Sequence, residues 1–517
     1  MNVGGLLDHW ARYRPEHLAV VCGEQRFTFA EYRRRVNRVA NALRSLGLVK
    51  GDKLAVVLPN CIELLDVYRA AARMGIVLVP LSPLLRGSGL VPLLRDSDAA
   101  AVLACDTFEP ALDEIRGELS GIAADRYVLT GAPDSARYRA YAELVAGASE
   151  QAPPPVDMGD ADLFNIIYSS GTTGQPKGIV HTHYIRGMYC TLFANAFRFT
   201  PESVVMHAGS LVFNGAWVTL MPAWSMGCTY VLQERFDPVA FIDTIRRERV
   251  THLMTVPSQV VALLGAPNWS AGALRSVEMF CTVGAPLHRK HKQRLLQVLP
   301  DSCYELYGLT EGFITILDHA DYAARIDSVG TPVVFSDLRI VGADGRDAPA
   351  GAIGEIVGRA PFLTPGYYKR PDLTAQAIVG GWLLTGDLGF VDEAGFLHLV
   401  DRKKDLIISG GVNVYPKDIE EVAVTHPSVR EVAVFGVPSE KWGEAPIAAV
   451  VLTERAGVQA EELCEWINAR VAARYQRLHG VVLLDDMPRS TAGKTLKRVL
   501  RDEYGRGREP NVKEGGS

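Results

Sequence analysis

The chain has 517 residues, 48% of them hydrophobic and 22% charged, enough to build a large buried core and more than one domain. Its formal net charge of −5, with both signs mixed along the chain, leaves no basic footprint for nucleic acid and no polybasic membrane anchor. The first twelve residues lack a signal pattern, no apolar run is long enough to span a bilayer, and the eight cysteines are scattered without zinc or thiol-redox spacing, so a cytoplasmic protein with free thiols is expected.

Thr28 and Glu31 are spaced as a capping box, and Val36, Val39, Ala40, Leu43 and Leu46 then recur at helical intervals up to Gly47. Lys53–Leu58 predicts a buried strand, Ile62–Met74 a helix stopped at Gly75, and Ile76–Pro80 a second strand. That rhythm implies βαβ units and a largely parallel sheet. Gln151–Pro155 reads as a surface connection, and Phe164–Tyr168 as a short strand entering a loop dense in Gly, Ser and Thr. Between Ser336 and Leu399 the pattern changes: short strands near Leu338–Val341, Glu355–Gly358 and Phe396–Val400, with turns such as Asp344-Gly345, predict a β-rich subdomain. After the charged run Asp401–Asp405, strands are predicted at Val432–Val437, Ile447–Leu452 and Val481–Leu484, with a helix marked by Leu463, Trp466, Ile467 and Val471. The expected fold is α/β: a large N-terminal domain, 1–403, of helix-flanked sheets plus the β-rich subdomain, then a small α+β C-terminal domain, 404–505. A polar tail, 506–517, is expected to be disordered.

The loop Tyr168-Ser-Ser-Gly-Thr-Thr-Gly-Gln-Pro-Lys-Gly178 carries the first chemical signal. Glycines let the backbone approach a polyphosphate, amide and hydroxyl groups can surround its oxygens, and Lys177 adds positive charge. The Walker spacing is absent. A glycine-rich turn is the plain alternative. Four further strings follow: Tyr307-Gly-Leu-Thr-Glu311, Trp382-Leu-Leu-Thr-Gly-Asp387, Asp401-Arg-Lys-Lys-Asp-Leu-Ile-Ile-Ser-Gly-Gly411 and Pro488-Arg-Ser-Thr-Ala-Gly-Lys494. In this order they resemble the motifs of the adenylate-forming superfamily, which comprises acyl- and aryl-CoA synthetases, peptide-synthetase adenylation domains and firefly-type luciferases. The resemblance covers nearly the whole chain and is nearest to an acyl- or aryl-CoA ligase.

The resemblance implies ATP, Mg²⁺ and coenzyme A as co-substrate. Ser169, Ser170, Gly171, Thr172, Thr173, Gly174 and Lys177 would surround the phosphates, with Thr310 also contacting them. Adenine would lie against Gly284, Ala285, Pro286 and the segment Glu305, Leu306, Tyr307, Gly308, with Tyr304 either stacking on it or belonging to the core. Asp387 would accept both ribose hydroxyls, as an ionised carboxylate can, and Arg402 would clamp the nucleotide. Thr172 and Glu311 would hold Mg²⁺, a hard cation that takes oxygen ligands. Lys494 would stand between the acid carboxylate and the α-phosphate and stabilise charge in the transition state. In relatives the C-terminal domain turns about a hinge residue, here Lys404. Gly410 and Gly411 would then line a tunnel for the CoA thiol arm, with Trp442, Tyr475 and Arg477 near the CoA nucleotide or simply part of core and surface.

The acid pocket is expected among Phe213, Asn214, Trp217, Met279, Val283, Phe313 and Ile314, an apolar set suited to a fatty, alicyclic or aromatic acid. Ser210–Trp217 offers no aspartate for an α-amino group, which disfavours amino-acid activation. The expected partners are a small carboxylic acid, ATP and CoA, with a homodimer left open. A ligase that hands acyl-AMP to a carrier-protein thiol is the runner-up. A non-catalytic acid- or nucleotide-binding relative is disfavoured, because every charged motif residue is present.

Overall fold

The computed structural model of the protein describes residues 2–85, 87–169, 177–453, 457–489 and 495–505. The capping box at Thr28 forms: its hydroxyl accepts from the Glu31 N–H at 3.3 Å while the Glu31 carboxylate accepts from the Thr28 N–H at 2.8 Å. This starts the helix Phe29–Ser45, whose Val36, Val39, Ala40 and Leu43 are buried. The next helix, Ile62–Met74, ends at Gly75, which adopts φ +68°, a left-handed conformation that costs glycine little. The flanking strands Lys53–Val57 and Val77–Pro80 pair in parallel, as the alternation of elements requires.

Among the described residues the strands form four sheets. A seven-stranded sheet runs through Arg139–Ala140, Tyr127–Thr130, Ala99–Cys105, Lys53–Val57, Val77–Pro80, Leu163–Ser169 and Lys177–Thr182. A nine-stranded sheet runs through Thr331–Pro332, Ile314–Leu317, Cys303–Gly308, Met279–Val283, His252–Thr255, Val204–His207, Thr229–Leu232, Leu18–Cys22 and Gln25–Thr28. From Leu18–Cys22 to Cys303–Gly308 every neighbouring pair in it is parallel. The helices Ile62–Met74, His183–Ala196 and Asn214–Met226 join one apolar cluster with residues of both sheets, among them Tyr68, Tyr189 and Trp217. A sheet covered by helices on its faces needs strands apolar on both sides, which is why Leu54–Leu58 shows no alternation.

The third sheet, with Asp337–Val341, Gly354–Arg359, Trp382–Val391 and Leu397–Arg402 as its longer strands, is antiparallel. Its core contains Phe313, Ile340, Ile356, Leu383 and Leu397. The fourth belongs to the C-terminal part. Its central hairpin pairs Val429–Ser439 with Gly443–Leu452, and Gly480–Leu484 adds in parallel. The helix expected there spans Ala460–Asn468, so Val471 lies beyond its end although it still packs on the C-terminal core. All eight cysteines are free, five of them buried, and no helix of the described residues is long and apolar enough to cross a membrane.

Residues 403–406 connect the strand Leu397–Arg402 to the strand Ile407–Ser409. The parts on either side also touch directly. Lys417 donates to the Leu399 carbonyl at 2.7 Å, Lys290 donates to the Val424 carbonyl, and His288 Nδ1 lies 2.9 Å from Glu421 Oε1. Burial alone would raise the Glu421 carboxyl, but the His288 contact and the neighbouring charges of His288 and Lys417 outweigh it and hold the group below its ordinary value.

Two outcomes are expected. Phe313→Ala should destabilise the protein by about 3–5 kcal/mol, because it empties a core site; an unchanged thermal midpoint would contradict that placement. Removing the pair between the parts with His288→Ala should speed limited proteolysis within 403–417 several-fold. Equal cleavage rates would mean that the pair does not restrain the connection.

Candidate active site

Neighbouring parallel strands end on one edge of a sheet, and ligands of open α/β sheets bind beyond that carboxyl edge. Here Val204–His207, Met279–Val283 and Cys303–Gly308 deliver three segments to the same edge: 208–213, 284–286 and 309–312. Gly284, at φ +94°, turns the chain as its strand ends, and Gly284, Ala285 and Pro286 are exposed. Glu311 sits in the turn between Cys303–Gly308 and Ile314–Leu317. Gly312, at φ +115°, pins that turn, since a Cβ there would lie 2.2 Å from the Phe362 carbonyl oxygen. The Glu311 carbonyl also accepts from the Thr364 N–H at 2.7 Å.

The Glu311 side chain is held too. Its Oε1 accepts from the Tyr367 hydroxyl at 2.9 Å, and Lys177 Nζ lies 5.0 Å from the centroid of the Tyr367 ring. Burial, aided by the Glu311 charge, pushes the Tyr367 phenol upward, so it stays a neutral donor. One tyrosine thus ties the lysine of the glycine-rich loop to the acidic residue of the second motif. Ser169 and Lys177 face each other across the antiparallel pair Leu163–Ser169 and Lys177–Thr182 that the loop joins. The loop residues Ser170, Gly171, Thr172, Thr173 and Gly174 lie outside the described residues, and so do Lys494 and the tail 506–517. Behind the turn, His181 Nε2 lies 2.9 Å from the Thr310 carbonyl oxygen. A carbonyl only accepts, so Nε2 carries the proton. Burial and then the charge of Arg186 hold this ring well below the ordinary histidine value, and it is neutral at pH 7.

A second group forms where two sheets meet. The Tyr307 hydroxyl donates to Asp387 Oδ2 at 2.8 Å, and Arg402 Nε lies 3.4 Å from Asp387 Oδ1. Asp387 and Arg402 are direct cross-strand partners, so sheet register sets this pairing. Asp387 is buried, and burying a carboxylate is costly without such partners. The side chains of Tyr304, Glu305 and Leu306 point elsewhere: Tyr304 is buried against Phe197 and accepts from Arg198 at 2.6 Å, Glu305 is ion-paired with the buried Lys292, and Leu306 is core. Tyr304 therefore belongs to the interior, and only Tyr307 and Gly308 of that segment reach the surface.

No group of three or more His, Cys, Asp or Glu side chains among the described residues could hold a metal as a cage. A single carboxylate, Glu311, is the donor set that suits Mg²⁺ arriving with a polyphosphate, since that ion keeps waters and phosphate oxygens as its other ligands.

The seven acid-pocket candidates do not share one surface. Trp217, Met279 and Ile314 are buried in the cluster joining the two large sheets, whereas Phe313 is buried in the separate core of the β-rich subdomain. Phe213 and Val283 are partly accessible, and buried Asn214 donates to the Tyr189 hydroxyl at 3.1 Å. On the C-terminal side, Gly410 and Gly411, at φ +57° and +80°, form the turn of a hairpin. The Gly410 N–H donates to the Trp442 carbonyl at 2.7 Å, and a Cβ on Gly410 would approach the Trp442 ring to 3.0 Å. Trp442, Tyr475, Arg477 and Lys404 are exposed. Sequence reasoning missed Tyr367, His181 and Lys292. The string Gly366-Tyr-Tyr-Lys-Arg370, aromatic residues beside cations after a turn glycine, was the available hint for the first.

The profile of the AMP-binding enzyme family matches residues 7–368, and that of the AMP-binding enzyme C-terminal domain matches residues 418–494. A feruloyl-CoA synthase of an Amycolatopsis species is 33% identical over 96% of this chain and 97% of its own length. A long-chain-fatty-acid–CoA ligase of Mycobacterium tuberculosis is 33% identical over 97% and 98%. Among solved structures, MatB from Rhodopseudomonas palustris is 30% identical, with 98% of this chain and 99% of that one covered; the TM-score is 0.88 to its ATP-bound form and 0.77 to its apo form. With both profiles matched in order along a chain of this fold, the protein belongs to the AMP-binding enzymes, the adenylate-forming superfamily, and is most like its acyl- and aryl-CoA ligases.

Proposed function

We propose that this enzyme joins a carboxylic acid of apolar body to coenzyme A in two half-reactions driven by ATP. The observation that carries the reading is the convergence of two groups, Lys177–Tyr367–Glu311 and Tyr307–Asp387–Arg402, at the carboxyl edge of the nine-stranded sheet. In the first half-reaction an acid oxygen attacks the α-phosphorus of ATP and the bond to the leaving pyrophosphate breaks, giving acyl-AMP. In the second, the CoA sulfur attacks the acyl carbon, and AMP leaves with the bonding electrons.

Asp387 orients the ribose through its acceptor oxygens while Tyr307 and Arg402 fix its position. Lys177 would face the polyphosphate, and Lys494, by the C-terminal motif it belongs to, would serve between the two anionic reactants in the first step. Mg²⁺, when bound, neutralises phosphate charge, with Glu311 and Thr172 as its protein ligands. Lys404 is the hinge, and Gly410 and Gly411, whose lack of side chains leaves a smooth wall beside Trp442, take the thiol arm after the domain turns. The greater likeness to ATP-bound than to apo MatB supports placing the described arrangement in the first half-reaction. Two relatives of equal identity act on ferulate and on long-chain fatty acids by their names, so only the apolar body of the acid is common to them. The eight free cysteines support a cytoplasmic setting.

Purified enzyme with ATP, Mg²⁺ and a panel of acids should release pyrophosphate, and Lys494→Ala should slow that release by about 100-fold or more. The same variant, given preformed acyl-AMP and CoA, should still make thioester; full activity in the first assay would remove Lys494 from the mechanism. Acyl-AMP that ignores CoA but reacts with a carrier-protein thiol would instead establish the carrier ligase. Tyr367→Phe should raise the Mg²⁺ concentration for half-maximal pyrophosphate release by about tenfold, through a Glu311 that has lost its positioning donor. An unchanged Mg²⁺ titration would separate Tyr367 from the metal.

A further inference from the structure

The helix Arg289–Val298 opens on Arg-Lys-His-Lys, with no Asp or Glu in its first turn. Its N-cap residue, His288, bonds none of that turn's N–H groups with its side chain. Cations at a helix N-terminus are unfavourable, because the free N–H groups there already carry partial positive charge. The acid that answers them comes from the C-terminal part. Glu421, on the helix Pro416–Ala423, accepts from His288 Nδ1 at 2.9 Å. Burial works against the Glu421 charge. The His288 contact, the charges of His288 and Lys417, and the N–H of Arg289, the first residue of the basic helix, all favour it.

Much rests on this one carboxylate. The cleft between the two parts encloses about 400 Å³, and its charged lining residues are Arg289, Lys290, Arg470 and Glu421. Arg289 is paired with Asp327, and Lys292, further along the same helix, with Glu305. Lys290 and Lys417 direct their ammonium groups at carbonyls across the boundary, those of Val424 and Leu399. A carbonyl satisfies their hydrogen bonding but not their charge. Burial and then Lys292 disfavour the charge of Lys417; Glu421 is the first of the acids that favour it, ahead of Glu305 and Asp401. Without Glu421, cations of the two parts would face one another across the cleft.

The adjacent carboxylate, Glu420, faces the other way. It pairs with Lys497 at 2.8 Å and accepts the Val434 N–H at 2.7 Å. Lys497 opens the helix Lys497–Tyr504, in the segment that directly follows Lys494. One short helix thus reaches the N-terminal part through Glu421 and the segment after Lys494 through Glu420.

Resting on the ligase reading above, we propose that Glu421 is a positioning residue for acid activation: by capping the basic helix it docks the C-terminal part so that Lys494 is presented to the first half-reaction. The contact is broken when the domain turns, so thioester formation does not use it.

The test uses the full-length enzyme and follows the two half-reactions separately: pyrophosphate release from ATP and acid, and thioester formation from preformed acyl-AMP and CoA. Glu421→Gln keeps the shape and removes the charge. It should lower kcat for the first by about tenfold, with little change in KM for ATP, and leave the second unchanged or faster. Relative to wild type, that deficit should shrink as salt rises from about 0.01 to about 1 M, where the screening length falls from about 30 to about 3 Å. Glu421→Asp should keep part of the first rate, and should Glu421→Gln not fold, the same split in Glu421→Asp decides. Glu462→Gln, at an exposed carboxylate of the helix Ala460–Asn468, should change neither half-reaction. An unchanged first half-reaction, equal losses in both, or a deficit indifferent to salt overturns the proposal and leaves the ligase intact. Absence of pyrophosphate from the wild type with every acid overturns the ligase reading and this one with it.

Discussion

The carboxylate of Asp387 is held between a tyrosine and an arginine that come from different parts of the chain. Tyr307, on the nine-stranded sheet, donates to one oxygen at 2.8 Å, and Arg402, across the strand pair of the β-rich sheet, approaches the other at 3.4 Å. Burying a carboxylate is unfavourable without such partners, so the two sheets are required to meet at this residue. The same contact reaches further, because the Arg402 carbonyl accepts the N–H groups of Asp405 and Leu406 at 2.9 and 3.1 Å and so begins the connection to the C-terminal part. The ion pair at Asp387 is therefore continuous with the backbone that leads into the C-terminal part.

A parallel logic governs Glu311. Its main chain is fixed by Gly312, the next residue, and by Thr364, and its side chain by Tyr367, the last two more than fifty residues away in the chain. Tyr367 also lies beneath Lys177, at the end of a strand in the other large sheet. The candidate site is thus made by three sheets, each supplying one or two groups to a common edge. Such preorganisation suits the handling of a polyanion, where the protein's part is positioning and charge rather than covalent chemistry.

Much of the local structure was legible. The capping box at Thr28 and the stop at Gly75 depend on neighbours three or four residues away, and so they are visible in the sequence. The order of the motifs also identified the superfamily, because those residues recur for a chemical reason at fixed places. The acid pocket was not legible. Phe313 and Trp217 are both large and apolar, yet one fills the core of the β-rich subdomain and the other stacks with Tyr68 at 4.8 Å between the large sheets. Hydrophobicity alone does not distinguish a pocket wall from a packed core. Tyr304 shows the same ambiguity, which Arg198 and Phe197 resolve in favour of the interior.

By itself the sequence determined the element types, the two-part organisation and the identity of the charged motif residues, since each follows from periodicity, capping or a contiguous string. Tertiary structure alone decided which of them meet. Leu18–Cys22 pairs with Thr229–Leu232, and Arg198 with Asp318, contacts between residues far apart in the chain that no local pattern encodes. It likewise decided that Tyr367 supports Glu311. A side chain's partners are set by sheet order and by the burial that sheet order imposes, and both are properties of the assembled fold.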